Sequence, residues 1–351
     1  MATTMAVAPG ETRTRPVMIH AAGYVLPHLG PTCSLGESLP PAPSIRPSPK
    51  LDTAALAEIA CLTPREAKKL DRFSMLAIGA AHRALGHICA SDFNSKWGII
   101  ISNTLGGWEY TERELSRLHQ TGAEAVSPYL ATAWFPAAPQ GQISLRYPIG
   151  GFSKTICGDR CGGAVAIQLA ARYIQLGRLD FALAGGVDAP LSSFVLSGFK
   201  KSKQDIDLVE GAGFVVLGPA TSDSSANEGG NPAPASIAGA KHIRLSASSD
   251  AALAKLVQVL KTYAADSNFG APQTVVCSGL KDEALVAPLT RELESIGSNV
   301  VFAEPWLHDS LSATSALGLI MAYERFRNGT AQSSVWHLCI DRLSAHLTVV
   351  R

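Results

Sequence analysis

The residues from Gly163 to Ile174 (GAVAIQLAARYI) are apolar on nearly every face of a helix, and a helix of that kind has to be enclosed on all sides. It needs layers above and below it, and the rest of the chain offers candidates for them. Trp97 to Ser102 (WGIIIS) is a continuous apolar run, as in a strand covered on both faces. Phe181–Gly186 and Gly213–Leu217 read as two more core strands, and Val17–Val25 as a first one. Asp71–His87 is Ala-rich and apolar at helical spacing, which predicts a packed helix. Thr63-Pro-Arg-Glu66 carries a capping box with proline in the first turn. Thr111–His119, with alternating charge, reads as an exposed helix.

Gly30–Pro49 reads as loop. Pro219–Pro234 is a second break, made of Ser, Asn, Gly and Pro without periodicity. After it the alternation resumes: a helix over Ala251–Tyr263, a strand at Thr274–Ser278, a helix over Glu283–Ile296, a strand at Val300–Ala303, a small-residue helix over Ser312–Phe326 and two paired strands within His337–Val350. Strands alternating with helices on both sides of the break predict an α/β fold with buried sheets. The organisation expected is a flexible N-terminus (1–16), an N-terminal half (17–218), a linker (219–235) and a shortened C-terminal half (236–351).

Composition narrows the function classes. Apolar residues make up 46% of the 351 and charged residues 17%, which suits a large core. A net charge of +1 gives no support to nucleic-acid or membrane-surface binding. Met1–Arg15 lacks the apolar run of a signal peptide. The seven cysteines include no CxxC pair and no zinc spacing, as expected for reduced thiols in a cytoplasmic protein without metal or cofactor. Gly106-Gly107 and Gly185-Gly186 fit neither phosphate-loop pattern and read as tight turns.

Several segments resemble the elongating ketosynthases of the thiolase superfamily: Asp71-Arg-Phe-Ser74, Val126-Ser-Pro-Tyr129, Gly141-Gln-Ile-Ser144, Leu183–Pro190 (LAGGVDAP) and Glu210-Gly-Ala-Gly213. Gly106–Leu115 (GGWEYTEREL), Ala133-Trp-Phe135 and Asp159-Arg-Cys-Gly-Gly163 bring the resemblance closest to the chain-length factors, the ketosynthase-β subunits of bacterial type II polyketide synthases. The resemblance implies a thiolase-like fold of two similar halves with mixed sheets stacked around buried helices. It also implies that Arg160 stands in the slot of the nucleophilic cysteine, Ser278 in that of one catalytic histidine and Asp309 in that of the other, with His308 one residue early. The family's lysine becomes Glu304, and its glycine-rich C-terminal loop becomes Cys339-Ile-Asp-Arg-Leu343. Five catalytic features are thus degraded together, and His242–Ala251 stands where active relatives carry a longer loop.

The function this implies is a non-catalytic subunit. It pairs with an active ketosynthase in a heterodimer, meets acyl carrier protein through that complex and shapes the acyl tunnel for polyketide or polyene elongation. Trp108, Tyr110, Leu115, Trp134 and Phe135 are the tunnel or interface candidates, with ordinary core packing as the plainer reading. Arg160 reads as a cap on a dead pocket, as a partner-facing cation, or as an arginine satisfied by Asp159 or backbone carbonyls. Two alternatives stay open. One is an active synthase or acyltransferase using Cys161 and His308; the other is an acyl-binding homodimer without chemistry. Cys157 and Cys277 read as apolar core filler, and His337 and His346 receive no role.

Overall fold

Among the described residues, ten strands are laid out so that the first five and the last five follow the same spatial order. The computed structural model describes residues 15–27, 35, 50–202, 207–220, 235–246, 248–279, 283–329 and 334–351. The N-terminal stretch, the Gly30–Pro49 loop apart from Leu35, and most of the Pro219–Pro234 break lie outside the described residues.

The N-terminal half runs β1 (Val17–Val25), α1 (Thr53–Ile59), α2 (Pro64–Ala67), α3 (Arg72–Leu85), β2 (Trp97–Asn103), α4 (Trp108–Thr121), α5 (Leu130–Ala133), α6 (Ala138–Arg146), β3 (Ser153–Cys157), α7 (Gly162–Gln175), β4 (Phe181–Asp188), α8 (Ser193–Lys201) and β5 (Gly211–Pro219). The C-terminal half runs β6 (Ala235–Arg244), α9 (Ser249–Ala265), β7 (Thr274–Ser278), α10 (Glu283–Ser295), β8 (Asn299–Phe302), α11 (Glu304–Leu307), α12 (Ser312–Arg327), β9 (Val335–Ile340) and β10 (Ser344–Val350). The ladder order is β3-β2-β4-β5-β1-β6-β10-β9-β7-β8. Read outward from the β1–β6 seam, each half gives first, fifth, fourth, second and third strand. The pairings match as well. β2 is parallel to β3 and β4, while β5 is antiparallel to β4 and β1. Likewise β7 is parallel to β8 and β9, while β10 is antiparallel to β9 and β6. The seam itself spans only Val17–Ile19 against Ala235–Ile237.

Alternation along the strands sorts the core into layers. Ile100 and Val276 enter the central cluster with α7 and α12. Their neighbours Ile99 and Ile101 face the cluster under α1 and α3, and Val275 and Cys277 face the one under α9 and α10. The result is helix, sheet, helix pair, sheet, helix: a thiolase-like arrangement of two similar mixed halves around buried helices. Small residues let α7 and α12 approach. A Cβ added to Gly163 would lie 2.7 Å from the Ser312 carbonyl oxygen, and one on Gly186 of β4 would lie 2.4 Å from it.

Several readings need correction. α7 is not enclosed on all sides: Arg172 is exposed and Val165, Gln168 and Leu169 are half-buried. These residues recur at helical spacing on one face, which borders a groove shared with Ile237, Gly239 and Ala240 of β6. α4 is only partly exposed, because it begins at Trp108 and buries Tyr110 and Glu114. His242 to Arg244 finish β6, so only a short connection precedes α9. Cys157 is exposed at the end of the edge strand β3, whereas Cys277 is fully buried as core.

Candidate functional site

The turn before α7 delivers Arg160 into the centre of the molecule with its side chain only 8% exposed. Its Nε and Nη2 donate to Asp309 Oδ2 at 2.9 and 2.7 Å, and its Nη1 donates to Asp341 Oδ1 at 3.1 Å. Asp159, the counter-charge expected from sequence, is a lesser partner. Its carboxylate accepts the Arg160 backbone N–H at 2.9 Å but lies 3.7 Å from the guanidinium. The expectation assigned the compensating anion to a sequence neighbour; the fold supplies it from 149 and 181 residues away.

Each partner is held by its own loop. Asp309 exchanges backbone hydrogen bonds with Asp207 and Val209 (3.1 and 3.0 Å), and its Oδ1 accepts the Leu311 N–H at 3.0 Å. Asp341 sits in the β9–β10 turn, where its N–H bonds the Ser344 carbonyl at 2.8 Å. Burial works against the Arg160 charge, yet Asp309 and then Asp159 and Asp341 outweigh it and drive the pKa upward. Burial, with Asp341 beside it, pushes the Asp159 carboxyl up. The cluster therefore sets one guanidinium against three carboxylates.

The third slot residue, Ser278, lies at the end of β7, opposite Cys339 in register. Its hydroxyl pairs with His337 Nε2 at 2.9 Å, and both residues are fully buried. Burial, and after it the neighbouring His346, takes the His337 pKa down to about 3, so the ring is neutral. Sequence reading gave His337 no role. The missed signal is its place in a parallel strand neighbouring the slot.

Cys161 and His308 are turned to different partners. The Cys161 thiol is 4% exposed and points at the Cys339 and Ser344 carbonyls, 3.6 and 3.9 Å away. His308 Nδ1 pairs with Asp207 Oδ2 at 3.1 Å. Glu304 opens α11, but its side chain lies outside the described residues.

Around this centre the motif residues brace the fold. Asp188 is wholly buried at the end of β4. Its carboxylate accepts N–H groups from Thr104 (3.0 Å), Leu105 (3.3 Å) and Ser312 (2.9 Å), tying the β2 loop to the start of α12. Desolvation lifts its pKa to about 7 against those donors. Asp71 behaves alike: it caps α3 through Phe73, accepts the Tyr110 N–H at 2.7 Å, and is pushed to about 7 by burial. Arg72 and Glu210 join two distant motifs in a buried pair, with Nη2 to Oε1 at 2.8 Å.

The five aromatic and aliphatic candidates divide. Trp108 stacks on Phe194 (6.0 Å between rings, 14° between planes). It lines a cleft of about 280 Å³ with Leu105, Phe194, Val195, Gly198 and Phe199. Tyr110 is core, its hydroxyl 2.8 Å from Ser127 Oγ, and Leu115 is half-buried. Trp134 and Phe135 are 49% and 53% exposed beside the start of α4, where the Gly107 N–H donates to the Trp134 carbonyl. Phe194, at the start of α8 and 62% exposed, escaped sequence reading. Among the described residues no helix is long and apolar enough to cross a membrane, and no group of three metal-ligating side chains is found.

Chemically, Arg160 offers no nucleophile at the start of α7. A guanidinium has no nucleophilic electron pair at neutral pH and only donates. Asp309 serves here as an acceptor, from the Arg160 guanidinium and the Leu311 N–H. Three carboxylates also disfavour an anionic substrate.

Residues 51–205 match the family described as "Beta-ketoacyl synthase, N-terminal domain". The chain is 38% identical over 113 residues to the tetracenomycin polyketide synthase ketoacyl synthase beta subunit of Streptomyces glaucescens, covering 31% of this chain and 28% of that protein. The matched part is thus well under half of that relative's length. Two solved structures share the fold almost end to end. One is a chain of a "type II PKS acyl-carrier protein in complex with its ketosynthase bound to the hexaketide" (TM-score 0.73, 20% identity, 96% of this chain and 99% of that one). The other is a chain of "the ishigamide ketosynthase/chain length factor" (TM-score 0.75, 16% identity, 96% and 99%).

Proposed function

Residues 51–205 match the β-ketoacyl synthase N-terminal domain within a ketosynthase-like fold, and from that premise we propose that the chain is the non-catalytic companion of an active ketosynthase, a chain-length factor that walls the acyl tunnel. The observation that carries this reading is the buried lock of Arg160 on Asp309 and Asp341. It occupies the slots of the nucleophile, one helper imidazole and the glycine-rich loop at once. The partner's cysteine carries the growing chain, and acyl carrier protein delivers extender units to the complex.

Two surface features support a companion. β3 is an edge strand, hydrogen-bonded to β2 on one side only among the described residues, and such an edge invites a further strand. Near it Leu145 (79%), Leu176 (49%) and Phe152 (39%) are exposed, apolar surface of the kind that interfaces cover. The cleft under Trp108 and Phe194 is the wall this chain offers to an acyl tail, and its bulk sets how far that tail extends.

The test is to co-purify the chain with a cognate ketosynthase, expose the pair to an acyl-carrier thioester, and weigh each subunit intact. The acyl adduct is expected on the partner alone. An adduct on Cys161 of this chain would establish the catalytic alternative. Arg160→Cys alone is expected to stay unloaded and inactive, because Asp309 and Ser278 still fill the helper slots.

A further inference from the structure

A second constellation lies on the outer face of the N-terminal half, away from the central helix layer. Cys61 follows α1 and is exposed. Its Sγ is 3.5 Å from Nε2 of His82 on α3, and His82 Nδ1 is 3.2 Å from the hydroxyl of Tyr147 at the end of α6. Nucleophile, base and orienting group thus come from three elements and meet in hydrogen-bond order, the arrangement that activates a thiol.

The backbone holds this geometry. Cys61 has φ of +51°, in the left-handed region. Its N–H bonds the Glu58 carbonyl (3.0 Å) and the Leu62 N–H bonds the Ala57 carbonyl (2.9 Å), a Schellman ending for α1. Glycine is the ordinary occupant of that position, and a side chain there is strained. The turn aims the thiol at His82. For Nε2 to accept the thiol proton, Nδ1 carries the other hydrogen and donates it to the Tyr147 oxygen. Burial, and then the nearby Cys61, raises the Tyr147 pKa, which keeps the phenol neutral in its orienting role.

We infer that Cys61, His82 and Tyr147 form a thiol–disulfide exchange site that takes small disulfides from solution. The neighbouring donors select this class of electrophile. The N–H groups of Cys61 and Leu62 are spent on the turn, and that of Thr63 donates to Glu66 at 2.8 Å. None of the three is left for the oxyanion that a thioester would generate, whereas displacement at sulfur forms no oxyanion. In the step, the Cys61 proton passes to His82 Nε2 and the sulfur attacks one sulfur of the disulfide. That S–S bond breaks as the new one forms, and His82 returns the proton to the departing thiolate. Mixed disulfide and free thiol are the products, with no other oxidant needed. Tyr147 is a positioning residue. The inference is independent of the proposed subunit role, since the constellation lies outside the Arg160 centre.

The experiment treats the full chain with glutathione disulfide and follows each cysteine by peptide mapping, with exposed Cys89 as internal reference. Cys61 is expected to form the mixed disulfide about 100-fold faster than Cys89, the low end of acid–base assistance. His82→Gln should bring the two rates together, and Tyr147→Phe should slow Cys61 by a smaller factor. Both variants are checked for an unchanged thermal unfolding midpoint, and His82→Asn serves as a second test if the Gln variant unfolds. Equal rates for Cys61 and Cys89 in the wild type, or no effect of His82→Gln in the folded chain, overturn the site. Faster labelling by a small acyl thioester than by the disulfide overturns the choice of electrophile.

Discussion

The N-termini of α7 and α12 occupy matching places in the two halves, yet they meet opposite charges. At α12 the arrangement is the favourable one: Asp188 Oδ2 accepts the Ser312 N–H at 2.9 Å, so an anion faces the positive end of the helix. At α7 a cation, Arg160, stands just before the first turn, and the N-cap residue Cys161 makes no side-chain capping bond. That unfavourable placement is tolerated because Asp309, from the approach to α12, reaches across and neutralises it. The comparison teaches that the C-terminal half supplies the electrostatic scaffold for the charge that opens α7.

Four substitutions break or sharpen this contrast. The largest effect is expected from Arg160→Met, which strands Asp309 and Asp341 without their counter-charge. The loss is about 3–5 kcal/mol in urea unfolding, typical of a broken buried pair, and adding Asp309→Asn should recover part of it. Asp188→Asn comes next, with about 2–3 kcal/mol lost at about pH 8, since a neutral amide replaces charged acceptance of three N–H groups.

That variant also carries a pH test. Asp71 and Asp188 have folded pKa values raised from 3.8 to about 7. Between those values the folded chain holds protons that the unfolded chain has released. Stability contributed by these groups therefore falls as pH rises through that window and levels off above it. Urea midpoints measured across the window should decline in the wild type and decline less in Asp188→Asn; parallel slopes would contradict the assignment. Gly163→Ala is expected to cost about 1–3 kcal/mol, because the added methyl meets the Ser312 carbonyl at 2.7 Å and must push α7 off α12. The smallest effect belongs to Ser278→Ala, about 1 kcal/mol, from leaving His337 Nε2 without its 2.9 Å partner.

Much of the framework was legible because burial writes itself into apolar runs. WGIIIS became β2 and the small-residue stretch from Ser312 became α12. The Thr63 capping box is present as read, although the helix it opens is only four residues long. β3 and β6 escaped because edge and bridging strands keep polar positions: SKTIC and ASIAGAKHIR alternate only weakly. At the centre, the odd residue Arg160 was visible, since a guanidinium among glycines and alanines is a conspicuous departure. Its partner Asp341 and the pairing of Ser278 with His337 were not, since both depend on which strands lie side by side. Periodicity says that a segment is a strand; it does not say which neighbour it will have. Cys61 gave no signal at all, because its meaning lies in a backbone angle and in a histidine two elements away.

The one-sided pairing of β3 among the described residues has a bearing on supply. On the proposed pairing, a chain synthesised in excess of its companion carries an open rail of amide and carbonyl groups, with Lys154 as the lone charge along it to discourage indiscriminate stacking. Matched dosage of the two polypeptides then becomes a matter of keeping either one from clumping, quite apart from any gain in product.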